Sequence, residues 1–278
     1  MALSITAKMA MKDKCAYSPE NLEKIKKAMI PNYPKKTAII MVGLPGSGKS
    51  TVKNIFIRDY LKQDPRDFID CDPDNMMQQI DTYNDLLKSD KETAASICYY
   101  NASEINDIIY TFAQRNGHNI ILDGTGQDYI WTAGQIENLY AIGYTIYICI
   151  VQVSADVAIK RTSARAEKTG RTVPPERIKT IDINLQEAIG LYKKNKRAEN
   201  VVIYDNNNDK PSLIYDKNKT PREIKLRKST ASYETSASYE TSASYETNVG
   251  GGSRRRRRRT LYKKLKTKRL KNKTVRRR

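Results

Sequence analysis

The sequence predicts a three-layer α/β domain, with a mainly parallel sheet flanked by helices, followed by a disordered basic C-terminal tail. Two observations carry that expectation. Between Lys36 and Lys228, short apolar runs of strand length alternate with longer stretches of helical period, the rhythm of a parallel sheet with crossover helices. After Lys228 the rhythm gives way to a tandem hexapeptide and then a run of arginines. At 278 residues and 39% hydrophobic, the chain can build one sizeable core plus appendages.

Residues 1–35 read as a helical leader. Ser18 is placed to cap a helix with Pro19 at its first position, and Leu22, Ile25 and Met29 follow at helical spacing until Pro31 and Pro34 end it. Residues 36–228 form the main domain. Its strands are expected at Ala38 to Val42, Phe68 to Asp70, Asn119 to Asp123 and Tyr144 to Val153. Helices lie between them, as where Ile105, Ile108, Ile109 and Phe112 recur at i, i+3, i+4 and i+7. Val201 to Tyr204 and Ser212 to Tyr215 read as a late strand and a short one after the turn from Asn206 to Pro211.

Residues 229–253 hold the repeat Ser-Ala-Ser-Tyr-Glu-Thr, with Tyr233, Tyr239 and Tyr245 in phase, and a glycine linker from Gly250 to Ser253. Too few apolar groups are present to offset the entropy of ordering, so disorder is expected. Residues 254–278 carry sixteen Lys or Arg and no acid, leaving 34 basic against 31 acidic residues upstream. The net charge of +19 therefore belongs to the tail, and the main domain is nearly neutral. Nucleic acid or another polyanion is the expected partner of the tail; a nuclear address or a solubilising extension is the plainer reading of the same arginines.

The four cysteines stand singly, with no C-x-x-C pair, and suggest neither a zinc site nor a disulfide framework. No run approaches the roughly 20 apolar residues of a membrane span, and the first thirty residues lack a secretory apolar core. The expectation is a protein in a reducing intracellular compartment, cytoplasmic or nuclear, without membrane association. The richness in Asn, Lys, Ile and Tyr fits an AT-rich genome and raises the expectation of a viral source.

The most specific motif is Gly43-Leu44-Pro45-Gly46-Ser47-Gly48-Lys49-Ser50, which matches G-x-x-x-x-G-K-[ST] directly after an apolar strand and before a helix bearing Val52, Ile55, Phe56 and Tyr60. In such a P-loop, backbone N–H groups of Gly43, Gly46, Ser47, Gly48 and Thr51 curl around phosphates. Lys49 reaches the β- and γ-phosphates, and the Ser50 hydroxyl is offered to Mg²⁺. ATP or GTP with Mg²⁺ is thus the expected cofactor set, and the fold is expected to be P-loop kinase-like.

Downstream residues speak to the acceptor. The second strand ends in Asp70 and Asp72, at the sheet edge where open α/β folds bind ligands. A carboxylate there can take the proton of an attacking hydroxyl, although Pro73 also makes Asp72 a helix cap, and the two roles are compatible. Asp123, followed by Gly124, Thr125 and Gly126, stands where P-loop proteins place an acid near Mg²⁺; a polar strand-to-helix turn is the plainer alternative. Arg161 and Arg165 share a helix face, and Arg171 follows Gly170 in a loop ending at Pro174 and Pro175. Such a cluster can neutralise a transferring phosphoryl group, where isolated arginines would be solvated surface charges. His118 reads as a turn residue, and Tyr99, Tyr100, Tyr129 and Trp131 can stack on a ligand, with helix packing the more ordinary role for the last two.

Taken in order, these motifs resemble the zeta toxin family of P-loop kinases. The set is Gly43 to Thr51, Ile69-Asp70-Cys71-Asp72, Tyr99-Tyr100-Asn101, Asp123 to Gly126, Gly143-Tyr144, Arg161 with Arg165, Gly170 to Pro174, and Val201 to Asn206. The similarity spans residues 36–228. It implies phosphorylation of a hydroxyl on UDP-N-acetylglucosamine or a related nucleotide sugar. On that resemblance Asp72 is the base, Lys49 and Ser50 hold phosphate and Mg²⁺, and Arg171 with Arg161 or Arg165 stabilises charge. Asp70, Asp72, Asp123 and Thr125 would line the acceptor site. Asp123 stands where the family usually has glutamate, and Met76-Met77-Gln78-Gln79 replaces a common His-Pro pair. Polynucleotide 5′-hydroxyl kinases look similar in the same regions, and a non-catalytic nucleotide- and nucleic-acid-binding protein is the third alternative. An inhibitory, antitoxin-like protein partner is compatible with the resemblance and has no signature in the sequence.

If the tail is a separate module, deleting residues 248–278 abolishes salt-sensitive nucleic-acid binding and leaves turnover on a small acceptor unchanged. Filter binding across a salt series, beside a steady-state assay of both proteins, checks this; a fall in turnover would refute the separation.

Overall fold

A computed structural model describes residues 11–29, 35–89, 91–169, 172–208 and 210–224. Arg171, the hexapeptide repeat and the basic tail lie outside the described residues. Strands β1 (Thr37–Gly43), β2 (Phe68–Cys71), β3 (Asn119–Gly124), β4 (Thr145–Gln152), β5 (Ala198–Asp205) and β6 (Ser212–Asp216) form one sheet in the order β2-β3-β1-β4-β5-β6. The first five run parallel and β6 antiparallel, so each strand predicted from the sequence is present.

The helices are α1 (Pro19–Met29), α2 (Lys49–Ile55, continued by a π-helical turn Phe56–Tyr60), α3 (Pro73–Met77), α4 (Asp81–Ser89) and α5 (Lys91–Arg115). After them come α6 (Tyr129–Ala141), α7 (Ala155–Thr169) and α8 (Pro175–Lys193). Strand alternation divides the apolar residues into two layers. Ala38, Ile40 and Val42 of β1 join Ile105 and Ile109 of α5, Ile136 of α6 and Leu185 of α8, while Ile39 and Met41 face Val52, Phe56 and Ile57. All of β1 is buried, so its apolar run reads without alternation, as a strand covered on both faces must.

Residues of the leader belong to this core. Ser18 caps α1 by accepting from the Asn21 N–H at 3.0 Å, Asn21 donates to the Gln79 carbonyl at 3.2 Å, and Ile25 is buried in the larger layer. At the far edge of the sheet, Asp216 accepts from Tyr60 at 2.7 Å, Asn200 at 2.8 Å and Lys219 at 2.7 Å. Burial alone would raise this carboxyl, but those hydrogen bonds outweigh it and hold it below its ordinary value. The network ties β6 to β5 and to the π-turn.

One expectation is corrected. The cysteines are not all free thiols: Cys15 and Cys98 form a disulfide, while Cys71 and Cys149 are buried and free. The pairing could not be seen as a motif because the partners are 83 residues apart. Around it, Asn101 donates to the carbonyls of Lys12 and Cys15 at 3.1 and 2.8 Å, fastening the leader to the middle of α5. Among the described residues, no helix is long and apolar enough to cross a membrane.

Cross-linking so long a loop restricts the unfolded chain, so Cys98→Ser, or reduction of the native protein, should cost about 2–4 kcal/mol. Thermal melts with and without reductant check it; equal melting temperatures would mean that the bond contributes nothing.

Candidate active site

β1 delivers the chain into the P-loop, where Gly46 (φ 79°) and Gly48 (φ 83°) occupy the left-handed region. A Cβ at Gly46 would also lie 2.7 Å from the Ala158 carbonyl of α7, so conformation and space both require glycine. The loop is pinned from within by the Ser47 N–H to the Leu44 carbonyl at 3.0 Å. From outside, Asn206, just after β5, donates to the Ser47 carbonyl at 2.7 Å, and Arg161 of α7 donates to the Asn206 carbonyl at 2.9 Å. Asn206 was part of a quoted motif but had no role assigned from sequence; its partner is 159 residues away.

No side chain caps α2, whose N-cap is Gly48, whereas Asp72 caps α3 and Asp128 caps α6. Its first-turn N–H groups and the positive end of its dipole are the donor set that phosphate binding uses. Lys49 donates to the carbonyls of Gly43 and Leu44 at 3.0 and 3.3 Å, and its ammonium is 3.6 Å from Asp123. Ser50 and Thr51 are exposed.

The parallel register brings the acids together. Cys71 is level with Leu122 and Asp123 with Met41, so the carboxyl ends of β2, β3 and β1 finish side by side. Asp70 is ion-paired with Lys53 of α2, accepts from Asn75 at 2.9 Å, and keeps its Oδ1 buried without a hydrogen-bond partner. Lys53 was not singled out from the sequence, where it is one lysine among many on an amphipathic helix. Asp72 accepts from the Asp74 N–H at 3.0 Å, so its capping role is realised. Burial, then the nearby carboxylates of Asp74, Asp123 and Asp70, push its carboxyl up to about 6. Asp123 is raised as well, chiefly by burial, against the lowering pull of Lys49.

Beyond Asp123 opens a cavity of about 670 Å³ between α5 and α6, lined also by Thr125 and the glycines beside it. Trp131 and Tyr99 stand on its walls with 61% and 50% of their surface exposed, whereas Tyr129 packs edge-on against Tyr192 with centroids 5.0 Å apart. Helix packing thus accounts for Tyr129 and not for Trp131. Arg165 is half-buried one turn beyond Arg161, and His118 stacks on Phe112 in the turn before β3. The donor set of Ser50, Asp123 and the unpartnered Asp70 oxygen is hard and oxygen-only, which suits Mg²⁺ completed by substrate phosphates and water. Among the described residues, no group of three His, Cys, Asp or Glu forms an all-protein metal cage.

The zeta toxin family profile matches residues 19–220. The chain belongs to the zeta toxin family. Among solved structures, this family member superposes on one described as the PezAT chromosomal toxin-antitoxin system of Streptococcus pneumoniae, with TM-score 0.61 and 18% identity. That match covers 75% of this chain and 86% of the other. It also matches an AvrRxo1-ORF1:-ORF2 complex with ATP at TM-score 0.53 and 12% identity, covering 91% and 81%. At these identities the likeness establishes the mostly parallel P-loop kinase-like fold. No curated protein matched the sequence.

The raised Asp72 carboxyl has a consequence for stability. Its folded value lies above the ordinary 3.8, so the protonated form is favoured in the fold; stability is fully present below about pH 4 and declines until about pH 6. Asp72→Asn keeps a good helix cap and removes the buried charge, so it should stabilise the zeta toxin family protein by up to about 3 kcal/mol at pH 8 and scarcely at pH 4. Denaturant titrations at the two pH values check it; an equal change at both would refute the linkage.

Proposed function

We propose that the protein is a Mg²⁺-dependent kinase that transfers the terminal phosphate of ATP or GTP to a hydroxyl held in the cavity beyond Asp123, with Asp72 as base. The observation that carries this reading is the juxtaposition of an uncapped P-loop helix with two half-buried acids, Asp72 and Asp123, whose carboxyls are both raised. A binding module needs the first and has no use for the second. An ATP complex among the structural neighbours favours ATP as donor.

In this mechanism the P-loop N–H groups and Lys49 hold the β- and γ-phosphates, and Ser50 with Asp123 would hold Mg²⁺, which supplies charge neutralisation on the phosphates. The acceptor hydroxyl passes its proton to Asp72 as its oxygen bonds to the γ-phosphorus, and the bond to the bridging oxygen breaks to release the nucleoside diphosphate. Asp72 then returns the proton to solvent. Arg161 holds the P-loop through Asn206 and so acts on the phosphates indirectly, while Arg165 and Arg171 are proposed to neutralise the transferring group. Asp70, fixed by Lys53 and Asn75, orients the acid edge on which the acceptor lies. A nucleotide sugar is the acceptor that family membership brings forward. The toxin-antitoxin description of one neighbour also supports an inhibitory protein partner.

The test is transfer from γ-labelled ATP with Mg²⁺ to UDP-N-acetylglucosamine, other hydroxyl compounds and 5′-hydroxyl RNA or DNA. Label on a small acceptor, lost in Lys49→Ala and lowered about 10²–10⁴-fold in Asp72→Asn, is expected, with kcat/KM rising through about pH 6 to a plateau. Label on oligonucleotide ends would replace this reading with an end kinase, and tight ATP binding without transfer to any acceptor would favour a non-catalytic role.

A further inference from the structure

The acceptor cavity has a composition that narrows its ligand. Its two large exposed aromatics, Tyr99 on α5 and Trp131 on α6, offer faces suited to stacking on a sugar-like ring. Its charged lining consists of Asp107, Asp123 and Asp128; among the described residues that line it there is no Lys, Arg or His. Lys49, the nearest ammonium to that lining acid, is committed to Asp123 and two loop carbonyls on the donor side. The α6 N-terminus at the cavity, where an uncapped helix would offer its N–H groups to a phosphate, is filled by the Asp128 carboxylate, which accepts from the Trp131 N–H at 3.0 Å. Asp107 is exposed and makes no ion pair among the described residues, and Asn106 beside it keeps a buried Oδ1 without a hydrogen-bond partner. That oxygen can only accept, so it asks for a donor from the ligand.

Resting on the kinase reading above, we infer that the acceptor is a phosphate-free polyhydroxylated ring bearing an amino group, such as an amino sugar or aminocyclitol. Hydroxyl and ammonium groups donate to Asp107 and Asn106, the ring packs between Tyr99 and Trp131, and one hydroxyl reaches the acid edge at Asp123. A nucleoside diphosphate sugar would instead set its phosphates against Asp107 and the Asp128 cap, with no Lys, Arg or His among the described residues that line the cavity. The cavity volume lies in the range of small-molecule sites.

Full-length protein, γ-labelled ATP and Mg²⁺ would be assayed with glucosamine, an aminoglycoside, inositol, UDP-N-acetylglucosamine and a 5′-hydroxyl oligonucleotide. The expected result is the highest kcat/KM on the amino-bearing compounds, with KM raised at least tenfold by Asp107→Asn and by Trp131→Ala. Both residues are exposed, so their variants should melt like the parent, and inositol should be insensitive to Asp107→Asn because it carries no ammonium. Preferred transfer to the nucleotide sugar or the oligonucleotide overturns the inference while upholding the kinase. Equal KM in parent and Asp107→Asn on every acceptor overturns it too. No transfer to any compound despite ATP binding overturns both.

Discussion

The hydrogen-bonded register that sets Cys71 beside Leu122 and Asp123 beside Met41 is the constraint on which the rest of the site depends. Parallel strands must finish at the same edge, and their next residues must then turn into helices there. In this chain those residues are Leu44 to Gly48 after β1, Asp72 after β2 and Thr125 after β3. A one-residue slip of β2 against β3 would send its acids to the other face and move Asp70 away from Lys53. Burial prevents the slip, because Ile69 and Cys71 pack in the larger apolar layer and Phe68 in the smaller, and each would have to change sides.

Gathering acids at one buried edge is costly, and the fold answers the cost unevenly. Asp70 has Lys53 and Asn75, and Asp123 has Lys49. Asp72 has a backbone N–H from Asp74 set against burial and three like charges, which push its carboxyl up to about 6. Its surroundings differ from those of Asp70 and Asp123 in that it has no ion pair among the described residues. The same economy holds at helix ends: α3 and α6 carry their own carboxylate caps, and α2 carries none.

Legibility from sequence followed the range of the interaction. Strands were readable because burial on two faces leaves continuous apolar runs, and the P-loop because positive φ at Gly46 and Gly48 admits few alternatives. Asp72 and Asp123 were readable because strand ends locate them. Lys53 and Asn206 were not, since each acquires meaning only through a partner brought near by folding, and no local pattern marks it. The Cys15–Cys98 bond was missed for the same reason. Trp131 and Tyr129, two residues apart, face opposite environments because a helix turns 200° over that interval, and phase cannot be judged until the helix is docked.

The antiparallel edge strand has a bearing on how the molecule can be handled. β5 climbs toward the edge that carries the P-loop, and β6 descends from Ser212 beside Asp205 to Asp216 beside Val202, held there by Tyr60 and Lys219. The chain therefore runs back from that edge along half of β5, and Thr220 and Glu223 cap its last described turn, beyond Asn218, which donates to the Glu199 carbonyl near the start of β5. A dye, bead or surface coupled at that turn would leave the mouth of the active site facing outward, a favourable orientation for single-molecule observation of turnover.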